Sequence, residues 1–198
     1  MADTRDTIRA VALELFAARG YELTSLREIA ERVGLTKASL YYHYPSKQAL
    51  LLDLIQPLIE AWRATAAHAE SLPHTQRNVR AVLRRCLDAL LDNRAAAGLF
   101  VRDTAAVIAA IAPIWEELLD LNGRLYTWLA GPEPTTADTI RAIAAMEVLG
   151  GAFSASLYLP EVAEDELRAT LLDGAAAVLG LRRRPRRPNS PLIRHKST

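Results

Sequence analysis

A single cysteine, Cys86, in 198 residues excludes an internal disulfide framework and fits a reducing compartment. Glycine is sparse, at nine residues, beside abundant alanine and leucine, a balance that favours helix over strand. No uncharged apolar run is long enough to span a bilayer. The opening residues, MADTRDTIRAV, lack the apolar stretch of a secretory signal, so a cytoplasmic location with no membrane partner is expected. Metal-binding and catalytic patterns are missing too. His68 and His74 do not have ligand spacing, and no HExxH, GxSxG or phosphate-loop motif occurs. The acidic clusters Glu116-Glu117 and Glu164-Asp165-Glu166 are adjacent residues, not a spaced catalytic pair. A helical enzyme is disfavoured, and neither cofactor nor metal is expected.

Charge of one sign is also scarce overall, since the net formal charge is +1. That figure hides an asymmetry. Seven of the 24 basic residues lie in the tail 181–198, which has no acid, so residues 1–180 carry 17 bases against 23 acids, a net charge of about −6. Any nucleic-acid binding must therefore come from a local surface. The proline- and arginine-rich tail reads as disordered, open either to contact with phosphates or to plain solvation.

What is present is helical periodicity with clear punctuation. Apolar residues recur every three or four positions over 4–19, 25–33, 37–44, a long segment after Ser46, then 75–91, 95–109, 113–129, 136–157 and 161–180. Gly20 and Gly34 stop the first two, Thr36 caps the third and Pro45 ends it. Ser25 and Glu28 have capping-box spacing. The fold class is all-α, about nine helices: an N-terminal three-helix unit over 1–48 and a helical C-terminal domain over 49–180.

The second and third helices are short and joined through Gly34, which is the helix-turn-helix signature. Ile29, Ala30, Val33, Leu35 and Leu40 can form its small core, with Gly34 supplying a reversal that a side chain would obstruct. At 100° per residue, Ala38, Tyr41 and Tyr42 point away from Leu40. A face mixing a cation, hydroxyls, a methyl and two aromatic rings suits the major groove of double-stranded DNA. Lys37, Ala38, Ser39 and Tyr42 are assigned to base edges, and Thr24, Ser25, Arg27, Thr36, Tyr41, His43 and Lys47 to phosphates.

The stretch Phe16-Ala-Ala-Arg-Gly-Tyr21, then Thr24-Ser25, Ile29-Ala30, Val33 through Lys37, Leu40 through Tyr44 and Ser46-Lys47 closely resembles the DNA-binding domain of the tetracycline-repressor (TetR) family. It matches in order and spacing across Arg5 to Leu51, a quarter of the chain. The resemblance implies three helices set on a long fourth, followed by an all-α domain that binds a small effector and dimerises. It also implies that Tyr41, His43 and Lys47 contact the DNA backbone. Tyr44 stands where phenylalanine is more usual, a change expected to preserve packing.

For the C-terminal half the resemblance concerns architecture only. Trp62, Phe100, Arg102, Trp115, Tyr126 and Phe153 are candidates for an effector pocket, although helical spacing suits core packing equally. Ala142, Ala145, Gly150, Gly151 and Ser154 give the eighth helix a small-residue surface, the candidate homodimer interface. Glycine inside a helix costs on the order of 1 kcal/mol relative to alanine, which close contact would offset, a kink being the other explanation. Two functional readings remain. One is a ligand-released repressor acting on a palindromic operator. The other is a DNA-binding regulator controlled by a protein partner, or with no small effector.

Overall fold

The computed structural model describes residues 3–96, 99 and 104–181, and among them helix is the only regular structure. Phe100, Arg102 and the basic tail from 182 onward lie outside the described residues. The elements are α1 (Thr4–Arg19), α2 (Leu26–Val33), α3 (Lys37–His43), α4 (Lys47–Glu70), α5 (Gln76–Asp92), α6 (Thr104–Ala110), a 3-10 turn (Ala112–Ile114), α7 (Trp115–Ala130), α8 (Thr136–Tyr158) and α9 (Glu164–Val178).

Most helices begin where a short polar side chain can satisfy an orphan backbone N–H. Asp3, Ser25, Thr36, Ser46, Thr75 and Thr135 each accept such a bond. At Thr135 the reciprocal capping box is complete, Asp138 accepting in return from the Thr135 amide at 3.1 Å. At Ser25 the Glu28 carboxylate goes instead to Arg19, which joins α2 to α1. The turn after α2 is a Schellman closure: Gly34 N–H donates to Glu31 O at 3.2 Å and Leu35 N–H to Ala30 O at 2.9 Å. A Cβ on Gly34 would meet nothing within 4 Å, so no side chain is obstructed there. The backbone itself demands glycine, because φ is +78°.

The first three helices fold around one small core. Ile8, Ala12, Leu15 and Phe16 of α1 meet Leu26, Ile29 and Ala30 of α2, Leu40 of α3 and Leu50, Leu51 and Leu54 of α4. Helix α4, about 36 Å long at 1.5 Å per residue, leaves this unit and enters the second layer, where it packs on α5 and α7. There α8 lies against α5, α7 and α9. The expected inward stripe of α5, Val79, Val82, Leu83, Cys86, Leu87 and Leu90, is buried throughout. No described helix is long and apolar enough to cross a membrane.

Cys86 lies wholly inside this layer, and burial pushes its thiol up to about 12. In native protein at pH 8, Cys86 is expected to resist a disulfide-exchange reagent and to release one equivalent on addition of denaturant. Rapid labelling of the folded protein would contradict that packing.

Candidate nucleic-acid interface

Helix α3 has only seven residues, too few to persist alone, so its neighbours set its orientation. Leu40 is its one buried side chain. Thr36 opens it by accepting from the Ser39 amide at 3.1 Å, and the Tyr44 N–H closes it on Leu40 O at 2.8 Å. With Leu40 turned in, the opposite side faces solvent. Tyr42 is 86% exposed and Tyr41 42%, with Lys37 and Ala38 exposed beside them. Lys37 Nζ stands 5.5 Å from the centre of the Tyr41 ring, and the Tyr42 and His43 rings meet edge to face at 5.6 Å. Ser39 and His43 flank this surface, half-buried. An 86% exposed tyrosine contributes little to the core, so its ring and hydroxyl are left for a partner.

The flanking residues divide. Ser25 is exposed at the start of α2, and Thr36 at the start of α3, each with its hydroxyl oxygen on a backbone amide. Arg27 is exposed but paired with Glu31 at 2.8 Å, an interaction that raises its already high proton affinity. Lys47 is half-buried. Its ammonium donates to the carbonyls of Tyr21 at 2.8 Å and Glu22 at 3.0 Å and sits 4.5 Å from the centre of the Tyr21 ring. It clips the first turn of α4 to the loop after α1, keeping one N–H for other use.

Thr24 requires correction. It is 1% exposed, and its hydroxyl donates to Gly20 O at 2.7 Å. The side chain expected to reach a phosphate instead holds the α1–α2 turn together from within.

The described C-terminal candidates lie on several elements. Trp62 donates its indole N–H to Asn122 Oδ1 at 3.0 Å, tying α4 to α7. Tyr126 and Phe153 pack half-buried on the common core, and burial followed by the charge of Glu147 raises the Tyr126 phenol. Trp115 lines an open pocket of about 420 Å³ with Ile108, Pro113 and Glu116. A larger cleft of about 600 Å³ lies between the end of α4 and α7, walled by Glu70, His74, Arg124 and Trp128. His74, which lacks metal-ligand spacing in the sequence, is part of this wall. Here it faces Trp128 at 5.3 Å and fills the space beside Gly131. No cluster of three or more metal-ligating side chains occurs among the described residues.

The small residues of α8 face both ways. Ala142 and Ala145 are fully buried within the chain, and a Cβ on Gly151 would stand 3.4 Å from Leu171 of α9. Ala142 and Ala145 serve the packing of the chain itself, a correction to their assignment between protomers, and Gly151 is half-buried against α9. Gly150 and Ser154 do share the outward stripe, and nothing lies within 4 Å of a Cβ built on Gly150. The same stripe carries three residues that small-residue reasoning passed over: Ile140, 60% exposed, Ile143 and Tyr158. Their spacing with Ser154 was the available signal.

Residues 8–54 match the family model described as "Bacterial regulatory proteins, tetR family". Over that stretch, about a quarter of its length, the chain is similar to the tetR family of bacterial regulatory proteins. The HTH-type transcriptional regulator RutR of Escherichia coli K12 is 35% identical over 60 residues, 30% of this chain and 28% of that one. The chain spans less than half the length of the curated relatives it matches. Across the whole fold, AmtR of Mycobacterium smegmatis superposes with a TM-score of 0.77 at 22% identity, covering 91% of this chain and 87% of that one. A tetR-family regulatory protein from Rhodococcus RHA1 gives 0.66 at 21%, covering 91% and 97%. The matched relatives are named as transcriptional regulators, and the matched stretch contains α1 from Ile8, all of α2 and α3, and the first two turns of α4.

Replacing Thr24 by valine removes a buried hydroxyl with a carbonyl partner, which should cost about 1 to 2 kcal/mol of stability while the folded protein keeps its DNA affinity. Thermal melting and a gel-shift titration separate the two. Lost affinity at unchanged melting temperature would return Thr24 to the interface.

Proposed function

We propose that the protein is a homodimeric repressor that reads a near-palindromic DNA operator through α3 and is released by a small-molecule effector bound in the C-terminal domain. The observation that carries the DNA reading is the exposed face of α3 opposite Leu40, with Lys37, Ala38 and Tyr42 at base edges and Ser39 beside them. Ser25, Arg27, Thr36, Tyr41, His43 and Lys47 lie around it as phosphate contacts. Helix starts at Ser25, Thr36 and Ser46 add backbone N–H groups, which favour phosphate oxygens.

Two copies related by a twofold axis would present two such helices to successive major grooves, roughly 34 Å apart. The outward stripe of α8 supports that pairing. Ile140, Ile143 and Tyr158 leave apolar surface in water, and Gly150 lets a second backbone approach closely. One contact supports a route from effector to DNA. Gln48 Nε2, in the first turn of α4, donates at 2.8 Å to the carbonyl of Ala110 at the end of α6. A ligand that binds two positions of α6 with different affinity thereby shifts α4 and the reading head with it.

Selection from a random DNA pool should return an inverted repeat, and Tyr42→Ala should weaken binding to it by about tenfold or more, as loss of a base contact does. A sequence-blind, purely salt-sensitive pool would remove the reading. Separately, Ile143→Glu should shift the protein from dimer to monomer in sedimentation at micromolar concentration without loss of helicity. A persistent dimer would place the interface elsewhere.

A further inference from the structure

Tyr44, the residue that ends α3, is 1% exposed, yet its hydroxyl is not idle. It donates to Asp53 Oδ2, on the second turn of α4, at 2.7 Å. Arg9 of α1 donates to the same oxygen at 3.2 Å. On the other side, the Arg5 guanidinium stands 5.3 Å from the centre of the Tyr44 ring. One carboxylate thus gathers α1, the end of α3 and α4.

Packing alone does not require this arrangement. A phenylalanine ring would fill the same buried space, and Asp53 would keep its ion pair with Arg9. The hydroxyl adds direction. Apolar contact lets a two-turn helix rock on its one buried leucine, whereas a hydrogen bond to an ionised acceptor is short and angle-dependent. The position of Asp53 is also telling. Pro57, four residues on, has no N–H, so the Asp53 carbonyl lacks its helical donor and α4 is weakened just beyond the clamp.

We propose that the Tyr44–Asp53–Arg9 cluster is a positioning device. It locks α3 to the first two turns of α4 as one rigid piece, bounded at Pro57, and so sets the angle at which the recognition helix meets DNA. Tyr44 and Asp53 act through α3 without touching DNA. This inference rests on the DNA-reading role of α3 proposed above.

The test is a double-mutant cycle on the full chain with Tyr44→Phe, Asp53→Ala and both together. Binding is measured to the selected inverted repeat and to random-sequence DNA, well below the melting temperature of every variant. Each single variant should lose about tenfold in affinity for the inverted repeat, as expected for one hydrogen bond to a charged acceptor. The double variant should be no weaker than Asp53→Ala, and random-sequence binding should be unchanged. Asp53→Asn, which still accepts from the Tyr44 hydroxyl, should recover most of the loss. Wild-type selectivity that survives Tyr44→Phe intact would overturn the clamp and leave the function standing. So would losses on both DNAs in step with lost thermal stability. Wild type with no sequence preference would overturn the function and this inference together.

Discussion

The whole arrangement depends on seating a seven-residue helix that cannot hold itself. Leu40 is the single side chain of α3 that the core takes in, and it lies with Ile29, Ala30, Leu50 and Tyr44 in one continuous apolar cluster. Fully burying a leucine is worth about 1.5 to 3 kcal/mol, enough to orient two turns of helix but little more. Hence the devices around it: the hydroxyl cap of Thr36, the left-handed Gly34 and the N–H of Tyr44 on Leu40 O. With the inner side so fixed, the tyrosines of the outer side have no choice but solvent or a partner.

Electrostatics at this surface is local and economical. The chain upstream of its tail is net acidic, and Arg27 and Lys47 already have protein partners. Lys37 remains exposed beside the ring of Tyr41. In the proposed DNA complex, hydroxyls and helix-end amides therefore provide much of the attraction for phosphate. Such groups hold a backbone in register through geometry more than through bulk charge, so affinity and selectivity both come to depend on how firmly α3 is aimed.

Helix α4 is the element shared by both layers. Its first turn is held by Lys47 to the loop after α1 and by Gln48 to the end of α6, its second turn by Asp53 to Tyr44 and Arg9. Farther along, Trp62 and Asn122 join it to α7, and Glu70 takes a paired contact from Arg124 at 2.7 and 2.6 Å. A rod pinned at many points and lacking one internal hydrogen bond at Pro57 is stiff in sections, which suits the transfer of small shifts between layers.

Helix positions, caps and the outward face of α3 were legible in the linear order of residues, because their causes are local. A cap acts over three residues, an amphipathic stripe over three or four, and Gly34 declares its backbone conformation by having no Cβ. Leu40 inward and Tyr42 outward follow from the same arithmetic. Other features were beyond such reasoning. Helix α8 is apolar or small on nearly every side, so periodicity does not tell Ala142, which faces the core, from Ile140, which faces solvent. Thr24 looks like any threonine at a helix start until the α1–α2 turn folds its hydroxyl onto Gly20 O. Asp53 and Tyr44 are nine residues apart on different helices, and only the packing of α4 across α1 and α3 brings them within 2.7 Å. Short-range order thus specified the helices and the face of α3. Which side chains turned inward, and which charges met, was decided by the contact of helix on helix, since burial depends on neighbours distant in the chain.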